Sequence, residues 1–526
     1  MQSAHPTWFR RLTAYGRYLL LAPLIGFLAG ISIVGILICY HGLWECVQYV
    51  VHKEHVLIVL FTLTGMLLAY GVVRVVSITK VPGSSTHKVL SAYHFGGGIL
   101  RGRDTFASVL ASIITIGFGG SAGFEGPSLA TGGGIASVLT KKLKLHMEEI
   151  RVLTLAGAAA GFSALFRAPL TGIFFALELP YQRDLAKEAF VPATVACIVS
   201  YITSVLLLGK TMMIPFIPVP PAVPTALDVL HLVVIGAIAG FVGYCYAKLF
   251  RVMENSVFRS VVKGDWSIVL LGGLAIGALG LLDPAVLGEG DEYINAFIIG
   301  GLKTTCWFIL LTLVLKIVAT CITMNFGGSG GVFFPALFLG AATGALYNMV
   351  FLGGSWNEAY VMAATAAVMA ASLKTPFTGV ALVAETCGPS AIIPALISSA
   401  ISYFASGRFS LFINQFEHRP EEEERALDEA YYLLQECGYL KETGIKASEL
   451  SIPAAFTIKR GTPATKALRI LEGYRIREAP VIDEYGKLIG YVAMEDLLSL
   501  VLEDPEALVD EIIIHAPLTA FVNEDL

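Results

Sequence analysis

Two short stretches hold the residues whose types and spacing could do chemistry. Gly119-Gly120-Ser121-Ala122-Gly123-Phe124-Glu125-Gly126-Pro127 sets one acid among glycines, just ahead of a proline. Gly327-Gly328-Ser329-Gly330-Gly331-Val332-Phe333-Phe334-Pro335 repeats the pattern 208 residues later, without the acid. A Gly-rich segment closed by Pro suits a helix start, where the missing proline N–H is no loss. Such a start exposes unpaired N–H groups and about half a positive charge, and so favours an anion. At Glu125 the helix end favours the charged carboxylate and burial opposes it, which is the balance a switch needs. Both stretches also read Gly-x-Ser-x-Gly, the pattern of a hydrolase nucleophile. That chemistry needs a strand-to-helix elbow and a base. Here the motif recurs between helices, without an evident His partner, so the hydrolase reading is set aside.

A second pair of segments repeats in the same order. Arg167-Ala168-Pro169-Leu170-Thr171-Gly172, ending at Glu178, returns as Lys374-Thr375-Pro376-Phe377-Thr378-Gly379, ending at Glu385. The offset is 207. Two matches at nearly one offset argue for an internal duplication. Gly/Pro-broken apolar segments in corresponding halves point to a transport site near the middle of a membrane. Dehydrating an ion costs tens of kcal/mol in the Born limit, of order 20. One helix end supplies at most about 2 kcal/mol, so several must converge. Partial charges, unlike full countercharges, also let the ion leave.

The elements that must position these residues are apolar helices. The 526 residues are 55% hydrophobic and only 15% charged, against roughly a quarter charged in soluble domains. This excludes a disordered chain, a collagen-like chain and an ordinary soluble enzyme. Apolar runs cover about 56–79, 105–118, 190–208, 228–250, 267–282, 302–324, 358–372 and 390–406. The run from Tyr18 to Tyr40 follows Arg10, Arg11 and Arg17 and is too long for a signal peptide. It reads as a first membrane helix whose arginines hold the N-terminus in the cytoplasm. The eight cysteines form no C-x-x-C pair and no zinc spacing, so neither a metal site nor a disulfide framework is expected.

Charge divides the chain. Residues 1–417 carry a net +6, and those from His418 onward a net −11. The boundary is the run His418-Arg419-Pro420-Glu421-Glu422-Glu423-Glu424, read as solvated. The expected domains are a cytoplasmic N-terminus (1–19), a membrane domain (20–416), an acidic linker (417–448) and a soluble tail (449–526). The membrane domain divides into repeats at about 20–208 and 225–416. The tail should alternate strand and helix: strand Ala454–Thr457, a helix from Pro463 to about Gly473, strands Glu478–Asp483 and Lys487–Val492, then a helix from Met494 to Leu502.

The membrane segments resemble the CLC family of chloride channels and proton/chloride exchangers over most of residues 20–415. Gly123-Phe124-Glu125-Gly126-Pro127 is similar to the family's Gly-Lys/Arg-Glu-Gly-Pro, with Phe124 in place of the basic residue. Gly331-Val332-Phe333-Phe334-Pro335 is similar to Gly-x-Phe-x-Pro. Gly83-Ser84-Ser85-Thr86-His87 stands where the family has Gly-Ser-Gly-Ile-Pro, and departs from it at three positions. The resemblance implies an all-α polytopic fold of two inverted repeats of broken, tilted helices. It implies Glu125 as gating and proton-carrying acid. It implies anion contacts from Ser84, Gly123, Phe124, Gly126, Val332 and Phe333, with the phenylalanines acting through the main chain. Phe412 falls where the family often supplies a Tyr hydroxyl, and Phe has none. Glu178 matches the first of two adjacent family glutamates and Leu179 the second, the inner proton acceptor. Glu178 is therefore expected to be a structural hydrogen-bonding acid near a proton route.

The tail resembles a CBS domain, a small α/β unit, here one full copy and the first strand of a second. CBS units pack in pairs, which implies a homodimer paired across subunits. In the last strand–helix turn Gly490 and Asp496 fit the adenosine-binding pattern, but Ala493 lacks its hydroxyl. A structural pairing role is expected ahead of nucleotide binding, and no other cofactor. The resemblance implies chloride and protons as partners, no nucleic acid and no enzymatic activity. It implies a multi-pass protein of the plasma (cell inner) membrane with a cytoplasmic tail. Glu125 favours proton-coupled exchange; Leu179 and Phe412 favour an uncoupled channel. The altered residues after Ser84 leave open a fluoride-selective or other-anion member.

Overall fold

The computed structural model describes residues 13–209, 224–301, 304–353, 355–420, 457–474, 478–504, 506–512 and 514–515. Contacts divide the chain into two units, Met1–Tyr432 and Leu433–Leu526.

Among the described residues of the first unit, seven helices are long and apolar enough to cross a membrane. They include Ala14–Lys53, Leu57–Val76, Met147–Phe166 and Cys306–Asn325. Ala14–Lys53 has 40 residues, about 60 Å of helix at 1.5 Å per residue, against a hydrocarbon core of about 30 Å. It therefore tilts or projects beyond the bilayer. Its exposed face carries Leu20, Leu24, Phe27 and Ile31, which suits lipid.

The duplication is visible element by element. Gly102–Gly117, Glu125–Lys142, Met147–Phe166, Pro169–Glu178 and Phe190–Leu208 follow one another in the first half. Cys306–Asn325, Phe333–Phe351, Glu358–Ser372, Pro376–Cys387 and Ile392–Ala405 follow in the second. Matching positions do matching work. A Cβ on Gly132 would run into the Gly157 carbonyl, and one on Gly340 into the Thr365 backbone. Small residues thus let Glu125–Lys142 lie directly on Met147–Phe166, and Phe333–Phe351 on Glu358–Ser372. This is how helices associate where lipid removes the hydrophobic drive.

The halves are inverted, and two acids show it. Glu178 ends its helix and accepts from the Phe377 and Thr378 N–H groups at 2.8 and 2.7 Å, at the start of Pro376–Cys387. Glu385 lies near the end of that helix and accepts from the Leu170 and Thr171 N–H groups at 2.8 and 2.9 Å, at the start of Pro169–Glu178. Each helix caps the other's N-terminus, so the two run antiparallel.

Among the described residues of the second unit, a four-stranded sheet carries two helices. Strand Ile458–Lys459 is parallel to Glu478–Ile482, which is antiparallel to Leu488–Ala493; that strand is antiparallel to Ile514–His515. Ala464, Ala467, Leu471 and Leu497, from helices Ala464–Tyr474 and Met494–Glu503, close over Val481 and Val492. The expected strand at Ala454–Thr457 falls mostly outside the described residues. The strand described starts at Ile458, one residue beyond Thr457.

Candidate functional site

The two Gly-rich stretches meet at the centre of the first unit. Gly123 N–H donates to the Gly331 carbonyl at 3.1 Å. Beside them, Gly83–Ser84 pairs in parallel with Ser329–Gly330. From this crossing start Ser85–Phe95, Glu125–Lys142 and Phe333–Phe351. Three helix N-termini therefore converge, each with its first N–H groups free of intrahelical partners.

Glu125 stands between them. It is buried, and its Oε1 accepts the Phe333 N–H at 2.5 Å, across the duplication. A Cβ on Gly331 or Gly123 would collide with the Glu125 carboxyl group, so only glycine lets the carboxylate lie against this backbone. A carboxylate oxygen on a helix-start amide is chemically an anion bound there.

The polar lining follows from the same elements. The hydroxyls of Ser84, Ser85, Thr86 and Ser329 are buried and meet no hydrogen-bond partner among the described residues. Four such groups in one place are unusual, since buried polar atoms are normally satisfied. Thr86 Oγ1 lies 3.2 Å from where a Cβ of Gly126 would stand, one residue from Glu125.

The other expected residues fall as follows. The Phe333 ring packs between Phe162 and Phe175, at 4.9 and 5.2 Å between centroids, and leaves its main chain facing Glu125. The Val332 carbonyl accepts from the Tyr246 hydroxyl at 3.4 Å. The Phe124 N–H does not face an open site: it donates to Glu289 Oε1 at 3.0 Å, and the Phe124 ring rests 4.5 Å from that of Tyr40. Phe412 is buried, 5.9 Å from the His87 ring. Glu178 is not aimed at Glu125; Oε1 accepts from Phe377 and Oε2 from Thr378. It borders a cavity of about 750 Å³ that is also lined by Arg183, Lys374 and Arg408. Leu179 is fully buried.

Sequence reasoning missed Glu289 and its neighbour Lys316. Lys316 is buried in Cys306–Asn325 and donates to the Val286 and Gly288 carbonyls at 3.2 and 3.1 Å, which pins the loop that carries Glu289. The signal was there: one lysine in an apolar helix must find partners.

Comparison with known proteins agrees with this architecture. The family described as Voltage gated chloride channel matches residues 64–407, and the CBS domain matches residues 447–503. The chain is 27% identical over 386 residues to the protein MJ0305 of Methanocaldococcus jannaschii, covering 73% of this chain and 91% of that one. It is 31% identical over 302 residues to the H(+)/Cl(-) exchange transporter ClcA of Salmonella paratyphi A, covering 54% of this chain and 62% of the relative. Among solved structures, a CLC-type fluoride/proton antiporter superposes with a TM-score of 0.67 at 24% identity, over 78% of this chain and all of that one. Motifs, inverted halves and profile coincide, and the chain belongs to the voltage gated chloride channel family, with a CBS domain in its tail.

Proposed function

We propose that this chain moves a small anion, chloride by default, across a membrane in exchange for protons, with Glu125 as the gate. The supporting observation is the Glu125 oxygen on the Phe333 N–H at 2.5 Å, among three helix starts and four unpartnered hydroxyls. Ionised, the carboxylate fills the place of an anion. Protonated, it gives up that charge-assisted bond and an anion takes the amide. Ser84, Gly126, Val332 and Phe333 then line the anion's place, with the hydroxyls of Ser85, Thr86 and Ser329. The Phe124 amide contributes only if Glu289 lets it go. Glu178 serves as a structural cap.

An uncoupled channel is the second reading. Leu179 cannot carry a proton, Phe412 has no hydroxyl, and both Glu178 oxygens are engaged. The altered turn Ser85-Thr86-His87 keeps fluoride in view as substrate, and one structural neighbour is a fluoride/proton antiporter. We further place the protein in the plasma (cell inner) membrane, with its N-terminus and tail in the cytoplasm. There the CBS unit pairs with that of a second copy.

Reconstituted vesicles with chloride and proton electrodes test this. An exchanger moves protons against a chloride gradient, and Glu125→Gln stops that movement. Chloride flux without any pH change leaves the channel reading. No chloride flux above empty vesicles refutes both.

A further inference from the structure

We infer that His87 is the proton-carrying group at the mouth opposite Glu125, taking protons from the side on which the first helix begins. The inference rests on the transport reading above. Because the halves are inverted, Ala226–Met253 runs opposite to Ala14–Lys53, so its C-terminal end lies on that side. His87 meets this end: its ring is 6.1 Å from that of Phe250, and 5.9 Å from that of Phe412. Leu411, Phe412 and Phe250, buried beside His87, hold no transferable proton. Glu178 is fixed as a helix cap.

The imidazole is built to exchange a proton. His87 is half-buried, whereas Ser84, Ser85 and Thr86 before it are buried. Its Nε2 lies 3.1 Å from the Leu411 carbonyl, which can only accept, so Nε2 carries hydrogen and Nδ1 holds the free lone pair. A proton from water at this mouth binds Nδ1 and makes imidazolium; Nε2–H stays on Leu411. The Nδ1 proton then passes inward by way of water and hydroxyls to the Glu125 carboxylate. Only N–H and O–H bonds form and break, and one positive charge is carried. The unpartnered hydroxyls of Ser85 and Thr86 continue from His87 along the chain, and Thr86 abuts Gly126. Of the charged groups nearby, Arg251 faces the ring from Ala226–Met253 and donates to the Ser410 carbonyl at 2.9 Å. Lys88 donates to Ser108 Oγ at 2.6 Å. Arg251 opposes the imidazolium, which keeps the ring ready to release its proton.

The test is flux through the full chain in oriented membranes, with pH varied on this face alone. His87→Gln keeps a donor for Leu411; His87→Phe keeps a ring. Wild type should gain anion flux severalfold as this face is acidified from about pH 7 to about pH 3, because burial, with Arg251, holds the imidazole below the ordinary histidine range. Both variants should lose that rise and drop proton movement to the leak level, while anion flux persists. A merely structural role moves neither. Wild-type proton movement and pH response retained in either variant overturn the inference and leave the transport reading standing. A wild-type profile flat over this range, or anion flux without proton movement, overturns it without any variant. Absence of wild-type anion flux instead sinks the transport reading itself.

Discussion

Glu125 and its two flanking glycines make one device. The carboxylate reaches the Phe333 amide because neither Gly123 nor Gly331 has a side chain in its way. Gly331→Ala should therefore cut anion flux by an order of magnitude or more, since even one misplaced methyl displaces the carboxylate. Equal flux at equal amounts of folded protein would refute this role. Glu125→Gln should transport anions with no pH dependence, because glutamine cannot change charge; an unchanged profile would contradict the gate. Of this site, Glu125 and the two Gly/Pro starts were legible in the chain, because their residue types are rare inside apolar sequence. The Glu289–Phe124 bond was not, because it joins positions 165 apart and carries no local pattern.

At the scale of elements, the short crossed helices are held by borrowed caps. Removing the Glu178 carboxylate strands the Phe377 and Thr378 N–H groups and the Thr378 hydroxyl. Glu178→Ala should destabilise the membrane unit by about 2–4 kcal/mol, from buried donors left unpaired. Glu178→Gln, which still accepts, should lose less. Glu385→Ala should act in the same sense, more weakly, since Glu385 is only half-buried. Thermal unfolding in detergent measures all three; no shift in any would show the caps to be idle. The lipid-facing runs were readable from hydropathy alone. Met147–Phe166, buried from Glu149 onward, was harder to recognise, because a Gly- and Ala-rich helix packed on other helices shows little contrast. The duplication offset announced two alike halves, but not that each would cap the other.

For the whole molecule, the charge changes sign at His418, and contacts divide the chain into Met1–Tyr432 and Leu433–Leu526. The tail has its own pH response. The Gly461 N–H at 2.8 Å, aided by Arg460 at 3.1 Å, holds the Asp510 carboxyl below the usual carboxylate range. The folded value lies under the unfolded one, so the stabilisation is complete above about pH 3.9. It fades as pH falls through the folded value. Asp510→Asn should lower the melting temperature of the tail at neutral pH and leave it unchanged in strong acid. An equal loss at both would contradict the assignment.

Transport as proposed requires a carboxylate and an anion to compete for one set of helix-start amides. Calorimetric titration of chloride into the purified full chain tests that competition most directly. In wild type, chloride affinity should fall as pH rises and Glu125 ionises. Glu125→Gln should bind chloride about tenfold more tightly at high pH, a gain of about 1.4 kcal/mol, with no pH dependence. Identical affinity and identical pH dependence in the two proteins would contradict it.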